Sequence, residues 1–278
     1  MTTSPHKSPA KRDGWLPKLI VTDLDGTLVS HHHGMPEEHR DMMHYLYSKG
    51  IPVVPATGRG PRLLDLTRAE VGEEGYLIMA QGAVVFEGRK RLHTESMPYH
   101  DALAIVDKVR SALGDVSIGA EDAREFAGPL RLERDFHWPY SLDTTTYVDG
   151  PDVIAGDVLK IFVEHGVQDV DDLLNDVRQI IPPDTASVTH AGIGFVEICP
   201  VGVTKATGVA FVAARLGVDA SDVLCFGDMP NDLPMFAWSG RSVAMANAHP
   251  DVLAIADDVT GTCEDLGFST YIKELFNW

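Results

Sequence analysis

The sequence predicts an α/β fold: a doubly wound, mostly parallel Rossmann-like core with an inserted α+β unit. Short apolar strands at residues 19–21, 51–56 and 223–226 are each followed at once by polar residues, and a helix of crossover length separates the first two. Between Thr57 and Lys205 the chain is far longer than a doubly wound connection requires, and it alternates short strands with two amphipathic helices. The expected organisation is a disordered extension at 1–15, a core at 16–86 and 199–278, and an inserted α+β domain at 87–198.

Two carboxylates follow the first strand. Residues 18–28 read KLIVTDLDGTL, so Asp23 and Asp25 come directly after the apolar run. In an extended segment they share a face, with Cα atoms roughly 6.6 Å apart. Anions this close repel one another, and a divalent cation is the usual remedy. An Asp-Gly turn explains the same residues without a ligand, so this stretch alone leaves both interpretations open.

Thr57 and Gly58 follow the second strand. The helix expected at residues 36–49 makes this a βαβ unit, so both strands end at the same edge of the sheet. A hydroxyl and freed backbone N–H groups at that edge suit phosphoryl oxygens, although an ordinary turn and helix cap is also compatible. Arg59 either faces this edge or caps the next helix, and the capping role is favoured.

In the middle of the chain the predicted pattern changes from alternating strands and helices to several short strands with two helices. A helix at 62–71 and a buried strand at 76–80 still belong to the α/β pattern, and a hairpin at 84–88 leads away from it. The inserted unit is predicted to contain strands at 91–96, 116–120, 129–136, 144–148, 158–163, 187–190 and 194–199, and helices at 100–113 and 170–181.

Polar residues also mark the start of the second core segment. Residues 202–206 (GVTKA) open a helix to about residue 216, and Lys205 there opposes the helix dipole, which indicates a phosphate partner or simply a solvated lysine. The strand at 223–226 ends in GDMPND, and a helix cap explains one of its acids but not both. The chain finishes with a strand at 242–248, a helix at 250–256 and a last helix ending at residues 276–278.

These four polar stretches, taken in order, resemble the four motifs of the haloacid dehalogenase superfamily of phosphatases and phosphotransferases. DLDGTL at 23–28, ATGR at 56–59, GVTKA at 202–206 and GDMPND at 227–232 match its Cof-type branch. Gln81 departs from the pattern, because Cof-type chains usually have Asn-Gly-Ala at this place. The resemblance implies a Rossmann-like core and an inserted cap over the active site that selects the substrate.

The resemblance also implies a chemistry. The Asp23 carboxylate would attack phosphorus and form an aspartyl-phosphate, and Asp25 would protonate the leaving oxygen and later deprotonate water. Lys205 would neutralise charge during the transfer. The implied substrate-binding residues are Thr57, Gly58, Lys205 and Asn231. The implied Mg²⁺ ligands are Asp23, the carbonyl of Asp25 and Asp228, with water oriented by Asp232 or Asn231.

Composition limits the partners. A formal charge of −18 argues against nucleic acid and anionic membrane surfaces. The expected partner, a small phosphorylated metabolite, is implied by the family resemblance. Neither a membrane span nor a secretory signal is recognisable, and the cytoplasm is the expected location. Three widely spaced cysteines indicate buried thiols rather than a zinc site. The run of His31, His32 and His33 is expected in a solvated loop, because consecutive side chains of an extended segment point to opposite faces.

The substrate itself is the least determined feature. The inserted unit has one dense basic and aromatic stretch, which is either a substrate-facing patch or a polar strand face with an aromatic cluster. Its members are Arg131, Arg134, His137, Trp138 and Tyr140. Two rival functions stay open at this point: a phosphomutase with the same four motifs, and a phosphate-ligand sensor that binds without turnover.

Overall fold

A computed structural model describes residues 14–30, 33–123, 130–140 and 145–278. Most of the expected N-terminal extension, His31, His32 and the first residue of two predicted strands (129 and 144) lie outside the described residues. The strands are β1 Leu19–Thr22, β2 Val53–Pro55, β3 Tyr76–Met79, β4 Val84–Glu87, β5 Lys90–Thr94, β6 Val116–Asp122, β7 Leu130–Glu133, β8 Thr145–Val148, β9 Val158–His165, β10 Ser187–Thr189, β11 Val196–Cys199, β12 Val223–Gly227, β13 Arg241–Ala244 and β14 Asp258–Val259. The helices are α1 Glu37–Ser48, α2 Leu64–Val71, α3 Tyr99–Leu113, α4 Val170–Ile180, α5 Lys205–Leu216, α6 Leu233–Trp238, α7 Pro250–Ile255 and α8 Gly267–Phe276.

The core is a parallel sheet of order β14-β13-β12-β1-β2 with helices on both faces. Alternate residues of β1 point to opposite faces: Leu19 and Val21 pack with apolar residues of α5, α6 and α7, whereas Ile20 packs with those of α1 and α8. Burial on both faces explains why the strands read as continuous apolar runs. The predicted doubly wound α/β fold is confirmed.

The predicted third buried strand joins the parallel sheet only weakly. A single parallel bridge between Ala56 and Ile78 connects β3 to the end of β2, and β3 otherwise forms an antiparallel sheet with β4 and β5. The expected hairpin is therefore present, but it continues from β3 rather than leaving the main sheet. The strand predicted at 242–248 ends already at Ala244, since the chain then turns and the Ala248 N–H bonds to the Met245 carbonyl at 3.0 Å.

A second sheet of six strands has the order β10-β11-β9-β6-β7-β8, and we call it the cap sheet. Its neighbours are antiparallel except for β7 and β8. Helices α3 and α4 cover one face, where Ile105, Val109 and Val177 pack against Ile161 and Ile198. The other face is turned towards the carboxyl edge of the parallel sheet. The domain boundaries at residues 87 and 198 stay predictions.

Two further expectations from the sequence concern the cysteines and membrane-spanning helices. Cys199, Cys225 and Cys263 are buried thiols, as expected, and burial raises the pKa of each of them. Within the part of the chain that the structure describes, none of the helices has the length and apolar character that crossing a membrane requires.

Candidate active site

Three strand ends bring the predicted site residues together. Thr22 is in register with Phe226 of β12 and with Pro55 of β2, so the residues that follow each strand meet at one edge. Asp23, Thr57 and Asp228 accordingly line a common cavity of about 430 Å³. The cavity lies between this edge and the cap sheet, from which Lys160 and Glu197 contribute.

Three buried carboxylates cluster at the floor of this cavity: Asp23 and Asp228 line it, and Asp232 lies next to them. Oxygen atoms of Asp23, Asp228 and Asp232 lie within 4.8 Å of one another, and each residue is at most 6% exposed. Burial raises the pKa of Asp23 well above its usual value, and the neighbouring carboxylates add to the effect against the opposing charge of Lys205. Burial and the Asp232 charge raise the pKa of Asp228 to about 7. The cluster therefore attracts further positive charge.

Lys205 supplies one positive charge. It is the first residue of α5 and is fully buried, and its Nζ donates hydrogen bonds to Asp23 Oδ1 and, at 2.6 Å, to Asp232 Oδ1. Burial alone would lower its pKa, but the charges of Asp23 and Asp232 outweigh burial and raise it. Lys205 is therefore a permanent cation. The solvated alternative considered from the sequence is wrong.

Asp232 holds the loop after β12 in shape. Its Oδ2 accepts the N–H groups of Asp228 and Met229 at 2.9 and 3.0 Å, while Oδ1 accepts from Lys205. A Cβ on Gly227 would lie 2.5 Å from the Asp232 carboxyl, so only glycine fits there. Asp228 in turn accepts a 2.8 Å hydrogen bond from Thr27. Both Asp232 oxygens are thus already engaged, which favours a supporting role over direct metal ligation.

Asp25 is bound by Arg59. The Arg59 guanidinium donates to both Asp25 oxygens at 2.9 and 2.6 Å, and its third nitrogen reaches Glu70 at 2.5 Å. The favoured expectation that Arg59 merely caps a helix is wrong. A strand-end arginine cannot be assigned a partner from sequence, because Asp25 and Arg59 meet only when β1 and β2 pair.

Thr57, Gly58 and Asn231 surround the same edge. Thr57 is 1% exposed, and its Oγ1 accepts the Arg59 N–H at 3.1 Å, which leaves its hydroxyl proton for another acceptor. Asn231 Nδ2 donates to Gln81 at 3.2 Å, whereas its buried Oδ1 has no hydrogen-bond partner among the described residues. Gln81, the departure from the Cof-type pattern, contacts Asn231 through its side-chain amide, and its backbone is left-handed at φ 59°.

The family follows from comparison with known proteins. The family model described as haloacid dehalogenase-like hydrolase matches residues 20–272. The chain belongs to the haloacid dehalogenase-like hydrolases. The Bacillus subtilis protein YxeH is 31% identical, over 93% of this chain and 98% of its own length. A 5-amino-6-(5-phospho-D-ribitylamino)uracil phosphatase of the same organism, YcsE, is 24% identical over 92% of this chain and 94% of its own.

Solved structures of haloacid dehalogenase-like proteins share the fold. A haloacid dehalogenase-like hydrolase from B. subtilis superimposes with a TM-score of 0.80 at 21% identity, covering 93% of this chain and 99% of the other. The subclass IIB sugar phosphatase BT4131 gives 0.76 at 21% identity, covering 93% and 98%. The family resemblance inferred from the four motifs is thereby confirmed, and the protein is an enzyme of a phosphatase family.

The basic and aromatic stretch of this family member is mostly not at the cavity. Arg134 pairs with Asp149 at 2.7 Å on the surface, and Trp138 stacks on Phe195 in an apolar cluster of the cap sheet. Tyr140 does line the cavity. Of the two interpretations of this stretch, the structure therefore supports a polar strand face with an aromatic cluster. Tyr140 is the exception, because it lines the cavity.

Other residues at the cavity were not anticipated. Lys160 and Glu197 come from the cap sheet, and both are 2% exposed. A signal was present in the sequence, since each is a charged residue inside an otherwise apolar strand, VLKIFV and VEIC. Such charges are rarely buried without a partner. Which partner each one meets depends on how the cap sheet lies on the core.

The floor of the cavity fits a hard divalent cation. Carboxylate and carbonyl oxygens are the ligands that Mg²⁺ takes, and Lys205, which pairs with Asp23 and Asp232, compensates the charge of the three buried acids only in part. Asp23, Asp228 and the carbonyl of Asp25 are the residues that would hold the ion. The assigned roles of all these residues stay predictions.

A second group of possible ligands, Asp171, His190 and His249, does not fit a metal. The Nδ1 atoms accept backbone N–H groups of Gly192 and Asp251 at 3.0 and 3.2 Å, so the protons are on the Nε2 atoms. Both Nε2–H groups point at Asp171, at 2.8 and 3.2 Å. A neutral imidazole that binds a metal through Nε2 carries its proton on Nδ1, but here each Nδ1 faces a backbone N–H donor. The two histidines are therefore hydrogen-bonded to Asp171 rather than arranged to hold a metal.

Proposed function

We propose that this protein is a magnesium-dependent phosphatase that hydrolyses small phosphomonoesters through a phosphorylated Asp23. One observation carries the proposal: the buried Asp23 carboxylate lines a cavity of about 430 Å³ and is bonded from behind by the fully buried Lys205 ammonium, and Asp25, two positions further along the chain, lines the same cavity. This volume suits a metabolite-sized ester. The names of phosphatase relatives that act on small phosphorylated compounds support the same substrate class.

In the first step an Asp23 oxygen attacks phosphorus, and the bond from phosphorus to the ester oxygen breaks. That oxygen takes a proton from Asp25. A carboxyl oxygen that carries a proton is a weaker acceptor than a carboxylate oxygen, so one of the two Arg59 hydrogen bonds weakens when Asp25 acts as an acid, while the other oxygen stays bound. In the second step water attacks phosphorus and gives a proton to Asp25. The bond from phosphorus to Asp23 breaks, and phosphate is released.

The other residues hold the phosphoryl group. Lys205 compensates its charge, and the Thr57 hydroxyl and the Gly58 N–H offer donors to its equatorial oxygens. Asn231 has its Nδ2 engaged by Gln81, so its orphan Oδ1 is suited to accept from a water or a substrate hydroxyl. When bound, Mg²⁺ shields the Asp23 charge from the anionic substrate and stabilises the transferred group.

The test is phosphate release from p-nitrophenyl phosphate and a panel of sugar and other small phosphomonoesters, with Mg²⁺ and then with chelator. We expect turnover that disappears with the chelator and returns with added Mg²⁺. Asp23→Asn should lose at least about 10³-fold in kcat with an unchanged circular dichroism spectrum. Asp107→Asn, an exposed acid on α3, is the matched control and should retain full activity.

Two results would contradict the proposal. A folded Asp23→Asn variant with wild-type turnover would remove Asp23 as nucleophile. No phosphate release from any ester by the folded wild type would favour a phosphomutase or a phosphate-ligand sensor. Product analysis with sugar monophosphates separates these two, because a mutase moves the phosphoryl group within the sugar and a sensor leaves it in place.

A further inference from the structure

Charged residues occupy the face of the cap sheet that is turned to the core. Glu121 on β6 stands directly opposite Lys160 on β9, and Glu197 on β11 is diagonal to Lys160 across the next pair of strands. All three therefore point to the same face, and each is at most 4% exposed. The opposite face, with Ile161 and Ile198, is apolar and covered by helices.

These side chains are bonded to the phosphate-binding edge of the core. Lys160 Nζ donates to the carbonyl of Gly58 and pairs with Glu197 Oε1 at 2.8 Å. Glu197 Oε2 accepts from Gln81 Nε2, and Gln81 Oε1 accepts from Asn231 at 3.2 Å. One continuous chain of hydrogen bonds thus runs from the cap sheet to Gly58 and Asn231, which line the same cavity as Asp23.

The core loop is shaped to fit under these charges. A Cβ on Gly58 would lie 2.6 Å from Gln81 Nε2, and one on Gly60 would lie 1.4 Å from Glu121 Oε1. Glu121 also accepts from Arg62 at 2.9 Å, which adds a second ionic contact between cap sheet and core. The loop from Thr57 to Arg62 therefore has little freedom to move while the cap sheet is in place.

Stability alone does not account for a buried Lys–Glu pair. Removing two charges from water is costly, and well-packed apolar residues at such positions are often as stable or more stable. An apolar pair, however, could not donate to the Gly58 carbonyl or accept from Gln81. Orientation of polar groups is what this pair provides and what an apolar pair would lack.

We infer that Lys160 and Glu197 are positioning residues that fix the Gly58 peptide and the Gln81–Asn231 amides, so that the phosphate-binding edge is correctly formed only when the cap sheet is seated. The inference rests on the proposed function for its kinetic readout. It differs from a role in binding the substrate's leaving group, because the bonds run to the protein's own phosphate-binding loop.

The variant that tests it is the double substitution Lys160→Met and Glu197→Leu. Lys160→Met alone leaves the buried Glu197 without its cation, and Glu197→Leu alone leaves Lys160 with only the 3.9 Å contact to Glu121, so either single substitution risks unfolding. The double variant removes both charges together. The matched control, Arg134→Gln with Asp149→Asn, removes an ion pair from the surface of the same unit, away from the cavity. Thermal unfolding of all three proteins shows that each is folded.

We expect the double variant to lose roughly 10- to 100-fold in kcat/KM, because a small misplacement of the phosphate-binding groups slows the transfer by about that much. The loss should be similar for p-nitrophenyl phosphate and for the best sugar phosphate, and the inhibition constant of inorganic phosphate should rise by about the same factor. The control pair should change none of these values. A loss of kcat/KM for the sugar phosphate but not for p-nitrophenyl phosphate would show that these residues recognise the leaving group, and it would overturn the inference.

Hydrogen exchange provides a readout that does not need turnover. In the double variant the amides of residues 57–63 should exchange faster than in the wild type, while those of β12 and β13 keep their protection. Unchanged exchange at 57–63, or unchanged phosphate inhibition in an active enzyme, would contradict the inference. An inactive wild type with faster exchange in the variant would refute the proposed function and leave the positioning role supported.

Discussion

Lys205 offers the most decisive perturbation of the site. Lys205→Met keeps most of the aliphatic stem and removes the ammonium that bonds to Asp23 and Asp232. The residue is fully buried, so water cannot replace the lost hydrogen bonds. The variant therefore leaves two buried carboxylates facing each other without their cation, and both stability and turnover should fall.

The size of the stability loss can be worked out from this burial. Breaking a buried ion pair by removing one partner costs about 3–5 kcal/mol. For a chain of 278 residues the unfolding entropy is about 0.6 kcal/mol/K, so Tm should fall by roughly 5–8 °C at neutral pH in the presence of chelator. Loss of a charged donor to the transferred group should lower kcat by about 10²- to 10³-fold when Mg²⁺ is present.

A second variant separates the two effects. In Lys205→Met with Asp232→Asn, one of the two unpaired anions is gone, while the amide oxygen can still accept the Asp228 and Met229 N–H groups. Roughly half of the lost Tm should return. Turnover should not return, because the positive charge beside Asp23 is still missing.

Differential scanning fluorimetry and phosphate release measure the two quantities on the same preparations. The reasoning is refuted if Lys205→Met unfolds at the wild-type temperature in chelator, or if it retains wild-type kcat. A double variant that is less stable than the single one would show that the charged Asp232 carboxylate is needed to hold the loop after β12, even without Lys205.

Two further predictions concern residues outside the cavity. Burial lowers the pKa of His190 from 6.5, against the opposing charge of Asp171, so the unfolded chain binds more protons than the folded one below pH 6.5. The unfolding free energy should therefore fall as the pH drops through 6.5. His190→Gln should flatten this dependence between pH 7.5 and 5.5, and an unchanged slope would contradict the prediction. Arg134→Glu should leave KM for the best substrate within about twofold of the wild type, since Arg134 pairs with Asp149 on the surface; a large rise in KM would return it to the substrate site.

The family, the doubly wound core and the positions of the site residues followed from the sequence because they depend on local order along the chain. Apolar runs buried on both faces specify parallel strands, and the polar residues just after them must lie at the carboxyl edge of the sheet. Asp23, Thr57 and Asp228 were found in this way, and Lys205 was found as a cation at the start of a helix, where the dipole disfavours it. The insertion was recognisable because its alternating strands differ from the α/β pattern around it.

Partner choice was decided only by the tertiary structure. Arg59 meets Asp25 because β1 and β2 pair, and Lys160 meets Gly58 because the cap sheet lies over the carboxyl edge. The two residues of each pair are far apart in the sequence and belong to different strands or loops. A side chain at a strand end can turn either to the helix that follows it or to a neighbouring strand. The energy of such a contact depends on burial and distance, which only the packed chain defines. The sequence therefore determined which chemical groups reach the site, and the packing of cap sheet on core determined which of them are bonded to one another.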